Sequence, residues 1–346
     1  PASVAAIRRV MAPTGAAIFG VLADADHRKA ATSLREWNEH QAETDESATG
    51  TRVEEDAVGF WATVPGVAFD GAGEWPYIYG RADNSAFGGE TLAGARSSAD
   101  LAIQWLGRPG PRYQADRSGR KTPPVAFGGR LFLEGLHRIV ALDIYNGSIQ
   151  WALETPHFQR FNIPRDCANW CGAGDSLYSA VRDRCWRINA ATGNVVQMYE
   201  VPERDPRGKR MDWGFIAVAP DRASRDLVIG SAVKSGTSYE DYWGKPGWYD
   251  AADGPETFKV CSDSLFACGR QSGDVRWTYS RGLIVNSTIT MSGGRLFFVE
   301  GRDPDLKSAD ARRLNSSDFW RDQFLVAIDA ATGEMLWETP LDTVDG

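Results

Sequence analysis

From about Leu101 to the C terminus, short apolar runs alternate with turns that contain glycine. Each unit has an apolar strand, a short turn, a second strand that ends near Asp or Asn, a turn of small residues and a last strand that carries Trp. Because this order recurs four times, the pattern predicts a tandem array of four-stranded antiparallel units. The recurring portions are LDIYNGSIQW (Leu142 to Trp151), INAATGNVVQM (Ile188 to Met198), CGRQSGDVRW (Cys268 to Trp277) and IDAATGEMLW (Ile328 to Trp337).

The residues of the repeat fit this interpretation chemically. Gly147, Gly193, Gly273 and Gly333 supply the residue that can adopt a positive φ in a tight hairpin. The Asp or Asn that precedes the turn can hydrogen-bond back across it. The Trp at the end of each unit offers a flat surface for packing one unit on the next. In the second repeat we expect Met198 to replace that Trp and to make a weaker contact.

The spacing of the repeats favours about four to five blades of a β-propeller in an incomplete ring, because one blade takes roughly 40 to 50 residues. One interval fits this length and two are longer, which predicts insertions at about 234–258 and 302–321. The first insertion is rich in aromatic residues, which serve either recognition or packing over the rim. They are Tyr239, Tyr242, Trp243, Trp248 and Tyr249.

The first part of the chain follows a different pattern. Ala31, Leu34 and Trp37 recur every three residues, which predicts an amphipathic helix from about His27 to Gln41. VGFWATV (Val58 to Val64) is expected to form a strand. We therefore expect a small α/β region at 1–68, a Gly- and Ala-rich linker at 69–100, and propeller blades at 101–346. The fold class is mainly β.

Composition and patterning add four constraints. The 36 Gly and 13 Trp suit many short strands joined by tight turns. The net charge of −8, with basic residues scattered among acidic ones, argues against nucleic acid as a partner. No apolar run reaches the roughly 18 residues of a membrane-spanning helix. The five cysteines lack metal-ligand spacing, and we expect small buried side chains rather than disulfides; they are Cys167, Cys171, Cys185, Cys261 and Cys268.

AIDAATGEMLW, GGRLFLEGLHRIVALD and GGRLFFVEG resemble the repeat of pyrroloquinoline-quinone-binding-like propellers. That group includes quinoprotein alcohol dehydrogenases and the propeller lipoprotein of outer-membrane assembly. The resemblance covers about Leu101 to the C terminus and implies the propeller fold without fixing an activity. It slightly favours a periplasmic or extracytoplasmic location.

VAAIRRVMAPTGAAIFGV (Val4 to Val21) resembles the end of a class I S-adenosylmethionine-dependent methyltransferase domain, with a helix end, a PxG turn and a buried strand. The resemblance implies that the cofactor loop of such a domain would precede Pro1, so we expect no methyltransferase activity from residues 1–68 alone. A methyltransferase-like end followed by propeller repeats resembles large multidomain bacterial proteins.

The first strand of each propeller blade lines the central channel, so polar residues near its start are the candidates for ligand contact. Lys121 and Arg165 could face the carboxylates of an anionic, planar ligand, and Asp166 is the candidate for a catalytic base. A polar, water-filled channel without a site is the competing interpretation. The binding candidates are Lys121, Arg165, Asp166, Asn169, Asp212, Trp213, Asn286 and Ser287.

Two functional hypotheses follow. The first is a binding or scaffold propeller module of a larger multidomain protein, with a protein or small-molecule ligand. The alternative is an oxidoreductase dependent on pyrroloquinoline quinone with calcium. The quinoprotein enzymes carry two adjacent cysteines beside the cofactor, whereas the nearest pair here, Cys167 and Cys171, is four residues apart. This departure counts against the dehydrogenase.

Overall fold

The chain forms two compact units. Unit 1 comprises Pro1–Gly73, Gly89–Gly107 and Asp143–Ser148, and unit 2 comprises Glu74–Gly88, Arg108–Leu142 and Ile149–Gly346. The computed structural model describes residues 2–22, 27–44, 50–67, 69–92, 94–106, 123–135, 138–155, 169–219, 227–235, 259–308, 313–314 and 321–341.

Unit 1 contains a three-stranded antiparallel sheet of β1 (Ala16–Leu22), β2 (Arg52–Glu55) and β3 (Gly59–Pro65), in the order β1-β3-β2. The predicted helix is present, continues to Thr44 and packs Ala31, Leu34 and Trp37 into the core of this unit. The ring of Trp37 meets Phe19 of the sheet edge-on at a centroid distance of 5.0 Å. The elements are α1 (Val4–Arg8), β1 (Ala16–Leu22), α2 (His27–Thr44), β2 (Arg52–Glu55) and β3 (Gly59–Pro65).

Strand β1 differs from the buried strand that the sequence predicts. It lies at one edge of the three-stranded sheet, and its residues alternate between exposed and half-buried. Ile18 and Leu22 are 66% and 60% exposed. A run of apolar residues resembles a buried strand whether one or both faces are covered, which explains the difference.

The first two blades of unit 2 are four-stranded antiparallel sheets whose strands follow chain order. Blade 1 consists of β4 (Val125–Phe127), β5 (Arg130–Gly135), β6 (Arg138–Asp143) and β7 (Ile149–Glu154). Blade 2 consists of β8 (Trp170–Ala173), β9 (Ser176–Val181), β10 (Arg184–Asn189) and β11 (Val195–Glu200).

The third blade is also a four-stranded sheet, whereas the sheet of the fourth blade has seven strands. Blade 3 consists of β12 (Asp212–Val218), β13 (Leu227–Val233), β15 (Ser264–Gly269) and β16 (Val275–Tyr279). Blade 4 consists of β17 (Leu283–Val285), β18 (Thr290–Ser292), β19 (Arg295–Gly301), β21 (Gln323–Asp329) and β22 (Met335–Leu341). The additional elements are β14 (Lys259–Ser262), α3 (Pro304–Ser308) and β20 (Arg313–Leu314).

Blade 4 has an interrupted first strand. Both β17 and β18 pair with β19, and a 3-10 helix at Asn286–Thr288 separates them. Apolar side chains from blades 2, 3 and 4 form one continuous core, and blade 1 shares a second core with blade 2. The predicted class, a mainly β partial propeller with a small α/β region, is confirmed.

A recurring hydrogen bond joins the last strand of one repeat to the tight turn of the following repeat. The indole nitrogen of Trp151 donates to the carbonyl of Ala190 at 2.9 Å, and that of Trp277 donates to the carbonyl of Ala330 at 3.1 Å. The same contact occurs within unit 1, where Trp105 donates to Ile144 at 2.7 Å. Each ring lies against the turn glycine, which explains the Trp and Gly of the repeat.

The second repeat makes this contact differently from the sequence prediction. Gln197, and not Met198, pairs with Arg187 at the register position where the other repeats place Trp. Tyr199 supplies the hydrogen bond instead, because its hydroxyl donates to the carbonyl of Arg270 at 2.6 Å. A tyrosine two residues further along the strand therefore replaces the missing Trp.

The described cysteines are buried and free, as the sequence predicts; they are Cys171, Cys185, Cys261 and Cys268. Burial raises the pKa of the Cys171 and Cys268 thiols to about 12. These thiols remain protonated at neutral pH and act as small apolar side chains. No helix among the described residues is long and apolar enough to cross a membrane.

Candidate functional site

A segment that the sequence places in the linker contacts the first strand of all four blades. We call Glu74–Gly88 the bridging segment. Trp75 forms a β-bridge with Ala126 of β4, and the carbonyl of Pro76 accepts a hydrogen bond from Gly172 of β8 at 2.7 Å. These two contacts join the segment to blades 1 and 2.

The remaining contacts of the bridging segment reach blades 3 and 4. The hydroxyl of Tyr77 donates to the carbonyl of Val218 at 2.9 Å and accepts from the amide of the same residue at 3.0 Å. The carbonyl of Ala82 accepts from the amide of Met291 at 2.8 Å. Burial raises the pKa of Tyr77, so its hydroxyl stays protonated and can keep both hydrogen bonds.

The bridging segment and the blade strands together line an open cavity of about 740 Å³. All of its lining residues belong to unit 2. Apolar side chains form much of the wall, namely Pro76, Tyr77, Ala82, Phe127, Val218, Ala219 and Met291. The volume is within the usual range for small-molecule sites, which are concave and mostly apolar.

Four charged side chains also line this cavity: Glu74, Arg81, Asp83 and Arg270. Arg270 is held in place, because its Nε donates to the hydroxyl of Tyr178 at 2.6 Å and its guanidinium lies 3.5 Å from Asp175. Glu74 accepts a hydrogen bond from the amide of Gly128 at 2.7 Å. The cavity therefore combines an apolar wall with two groups of each charge.

Backbone atoms add to the lining where the first two strands of a blade turn. Gly172 and Gly174 lie beside the turn between β8 and β9, and Gly293 follows β18. A Cβ built on Gly172 would stand 2.2 Å from the ring of Phe127, so only glycine lets these groups approach so closely.

The polar candidates from the sequence lie elsewhere in the blades. Asn169 precedes β8 and is buried, and its side-chain amide donates to Glu134 at 3.2 Å. Asp212 is the first residue of β12 and lies in a second cleft, described below. Trp213 is fully buried, donates its indole N–H to the carbonyl of Phe215 and meets Phe266 edge-on. Trp213 is therefore a core residue.

Asn286 and Ser287 lie in the 3-10 helix between β17 and β18. Asn286 is buried and accepts a hydrogen bond from the hydroxyl of Ser262 at 2.5 Å, and the Oγ atoms of Ser262 and Ser231 are hydrogen-bonded at 2.8 Å. Gly214 faces this cluster, because a Cβ there would lie 2.8 Å from both Asn286 and Ser231. Ser287 is exposed.

Lys121, Arg165 and Asp166 lie outside the described residues, as do Cys167 and the aromatic insertion. That Lys121, Arg165 and Asp166 line the central channel stays a prediction. The cavity beside the bridging segment was missed from the sequence, because Gly- and Pro-containing segments carry no periodic signal for long-range pairing.

The described candidates do not fit a quinone cofactor with calcium. The ring of Trp213 is enclosed by protein, and Asn286 is hydrogen-bonded in the interior. The amide nitrogen of Asn169 donates to Glu134, while its Oδ1 is buried without a hydrogen-bond partner among the described residues. The described part of the chain brings together no group of three or more His, Cys, Asp or Glu side chains that could hold a metal ion. Calcium sites typically use 6 to 8 oxygen ligands, many of them carboxylates.

Glu203 gives a pH-dependent prediction for the fold. Burial raises the pKa of this carboxyl, although Ser264 donates to it at 2.6 Å. The folded protein then binds a proton at a higher pH than the unfolded chain, in which the pKa of a glutamate is about 4.3. Stability should therefore fall as the pH rises from this value through the raised pKa.

Urea unfolding of the wild type and of Glu203→Gln between about pH 4 and pH 7 tests this expectation. The difference in unfolding free energy should move in favour of the variant as the pH rises. Glu334→Gln, at an exposed turn position, is the control. Parallel pH profiles for the wild type and Glu203→Gln would contradict the prediction.

Comparisons with known proteins give matches among solved structures only. No protein-family model matches the chain, and a search of curated proteins finds no match. Among solved structures, the chain is similar to BamB from Moraxella catarrhalis, with 14% identity and a TM-score of 0.36 over 65% of this chain and 53% of that one.

Two dehydrogenases are also similar. The quinohemoprotein alcohol dehydrogenase ADHIIG from Pseudomonas putida HK5 has 15% identity and a TM-score of 0.45 over 77% of this chain and 40% of its own. A europium-containing methanol dehydrogenase has 15% identity and a TM-score of 0.39 over 69% of this chain and 45% of its own. The chain thus spans about half the length of these structures, or less. The similarity concerns the propeller fold.

Proposed function

We propose that this chain is a binding module whose cavity, beside the bridging segment, takes a ligand with both apolar and charged groups, such as a short segment of a partner polypeptide. The observation that carries the proposal is the cavity itself. Four blades and the bridging segment contribute to its wall, and charged groups of both signs lie beside an apolar surface.

The charge balance favours a peptide-like ligand over a strongly anionic one. Arg81 and Arg270 are matched by Glu74 and Asp83, so a ligand with a single sign of charge gains little from the set. Apolar side chains of a peptide can cover Tyr77 and Val218, while its polar backbone can meet the exposed groups near Gly293. A scaffold propeller uses this type of site to hold a partner.

Fluorescence anisotropy with a panel of labelled tetrapeptide amides, varied at apolar and charged positions, tests the proposal. Ser292 is exposed and lines the cavity, so Ser292→Trp should fill part of it and weaken binding by about tenfold or more. Ser272→Trp is the matched control, because Ser272 is an exposed turn serine outside the cavity lining. It should leave binding unchanged.

The proposal fails if no peptide of the panel binds, or if Ser292→Trp binds as tightly as the wild type. A separate absorbance titration tests the quinone alternative. Titration with pyrroloquinoline quinone and calcium should leave the cofactor absorbance unshifted. A shift that Lys121→Ala and Arg165→Ala abolish would favour the oxidoreductase.

For residues 1–68 we propose the origin that their sequence suggests, the end of a methyltransferase-like domain. The packing of α2 against the sheet β1-β3-β2 supports a small α/β region of this kind. The domain boundaries at 68 and 100 are part of the same proposal.

A further inference from the structure

A second cleft, of about 560 Å³, lies where blade 2 meets the start of β12. We call it the basic cleft. Its lining residues are Arg182, Asp183, Arg204, Lys209, Arg210, Asp212 and Ser235. All of them belong to unit 2, and none lines the cavity beside the bridging segment. A site in the basic cleft therefore does not depend on the proposed function of the cavity beside the bridging segment.

Positive charge is in excess here. Arg210 is neutralised locally, because its guanidinium lies 2.8 Å from Glu200 and 3.5 Å from Asp183. Arg182 and Lys209 form no ion pair within the described part of the chain, and the guanidinium of Arg204 donates only to the carbonyl of Gly208 there, at 3.0 Å. Asp212 is the remaining carboxylate, and it is largely buried. Three cationic groups are thus available to a ligand.

The loop that carries two of these cations is well defined. Asp205 accepts hydrogen bonds from the amides of Arg207 and Lys209 at 2.9 and 2.8 Å. Arg204 and Arg210 form an antiparallel β-bridge. Lys209 and Arg204 therefore project from a small hydrogen-bonded hairpin rather than from a loose loop.

Two features of the backbone around this cleft are uncommon. Arg204 lies directly opposite Arg210 on paired strands, and Glu200 and Asp183 relieve the repulsion between these like charges on the Arg210 side. Arg182 has a φ of 57°, the left-handed region that residues other than Gly, Asn and Asp seldom adopt. An anion in the cleft would be attracted by Arg182, Arg204 and Lys209, the lining cations that have no carboxylate partner in the described part of the chain.

We propose that the basic cleft binds an oxyanion, specifically a phosphate or phosphomonoester group. Guanidinium groups donate paired hydrogen bonds that match the oxygens of phosphate, and a lysine ammonium adds a point charge. Arg182, Arg204 and Lys209 provide two groups of the first kind and one of the second. The site is cationic although the whole chain has a net charge of −8.

Isothermal titration calorimetry with inorganic phosphate and, separately, with O-phosphoserine tests the proposal on the full chain. We expect both probes to bind, and Arg204→Gln/Lys209→Gln to weaken binding by about tenfold or more. Arg207→Gln is the matched control, because Arg207 is exposed on the same loop but does not line the cleft. It removes one positive charge, as Lys209→Gln alone does, and should leave binding within about twofold.

Circular dichroism and thermal unfolding establish that each variant is folded. If the double variant is unstable, Lys209→Gln alone, at an exposed position, should still weaken binding measurably. If Arg207→Gln loses as much affinity for the probes as the double variant, the effect comes from general surface charge and the proposal is overturned. The absence of heat with both probes would also overturn it. Binding of O-phosphoserine without inorganic phosphate would identify a phosphorylated residue as the source.

Discussion

Replacement of Arg302 with alanine is expected to destabilise the protein by about 3 to 5 kcal/mol, because it leaves a carboxylate buried without its cation. Glu300 is fully buried, and its Oε1 lies 2.7 Å from the Nε of Arg302. Tyr279 and the amide of Gly282 also donate to this carboxylate, at 2.9 and 3.1 Å. These neutral donors remain in the variant and cannot replace the lost charge.

Arg302 also stabilises blade 4 by packing. Its guanidinium carbon lies 3.9 Å from the ring centroid of Phe324, and its Nη2 lies 2.6 Å from a carboxylate oxygen of Glu338. Arg281 is the matched control, because it contacts the same Glu338 at 2.8 Å but its side chain is 46% exposed. Arg281→Ala should cost less than about 1 kcal/mol.

Urea unfolding gives both free energies of unfolding. Equal effects of Arg302→Ala and Arg281→Ala would show that the buried position of Glu300 contributes nothing. The double variant Arg302→Ala/Glu300→Gln should recover part of the loss, since it removes the uncompensated charge.

Trp277→Ala is expected to have a comparable effect, about 3 to 5 kcal/mol, because it removes a large buried side chain at the joint between blades 3 and 4. Trp277 is 8% exposed and donates to the carbonyl of Ala330. Its ring covers Gly333, where a Cβ would lie 2.6 Å from the ring atoms. The substitution leaves this carbonyl without its donor and opens a cavity.

The repeat provides its own control for this prediction. Trp337 occupies the same register position in β22 and is 41% exposed. Trp337→Ala should therefore cost less than half as much as Trp277→Ala when both are measured by urea unfolding. If the two losses are equal, the contribution of Trp277 does not come from the joint.

The parts of the fold predicted correctly from the sequence depend on local chemistry. Asn189 and Asp329 accept hydrogen bonds from the amides two and three residues later, as the turn pattern predicts. Gly193 and Gly333 have φ values of 77° and 73°, as a tight hairpin requires. Interactions over so few residues follow from the identity of those residues alone.

The site could not be predicted in the same way, because it depends on contacts between distant residues. Tyr77 and Val218 are separated by 141 positions, and Asn84 contacts Ile289 across 205. Composition identified the bridging segment only as a linker, since turns and glycines occur in linkers and in packed irregular segments alike. The error of one residue at Met198 came from the alignment of the repeats, because Trp follows the turn glycine by four residues in the other repeats and Gln197 holds that position after Gly193.

The joint between an aromatic side chain and a turn has an evolutionary consequence. Trp151 and Trp277 meet turns of the same design, and Tyr199 shows that the joint tolerates a different donor. A duplicated blade would carry a compatible surface on each side, so gene duplication could lengthen such an array without compensating substitutions elsewhere. The number of blades in proteins built this way can therefore change while the joint between neighbouring blades stays the same.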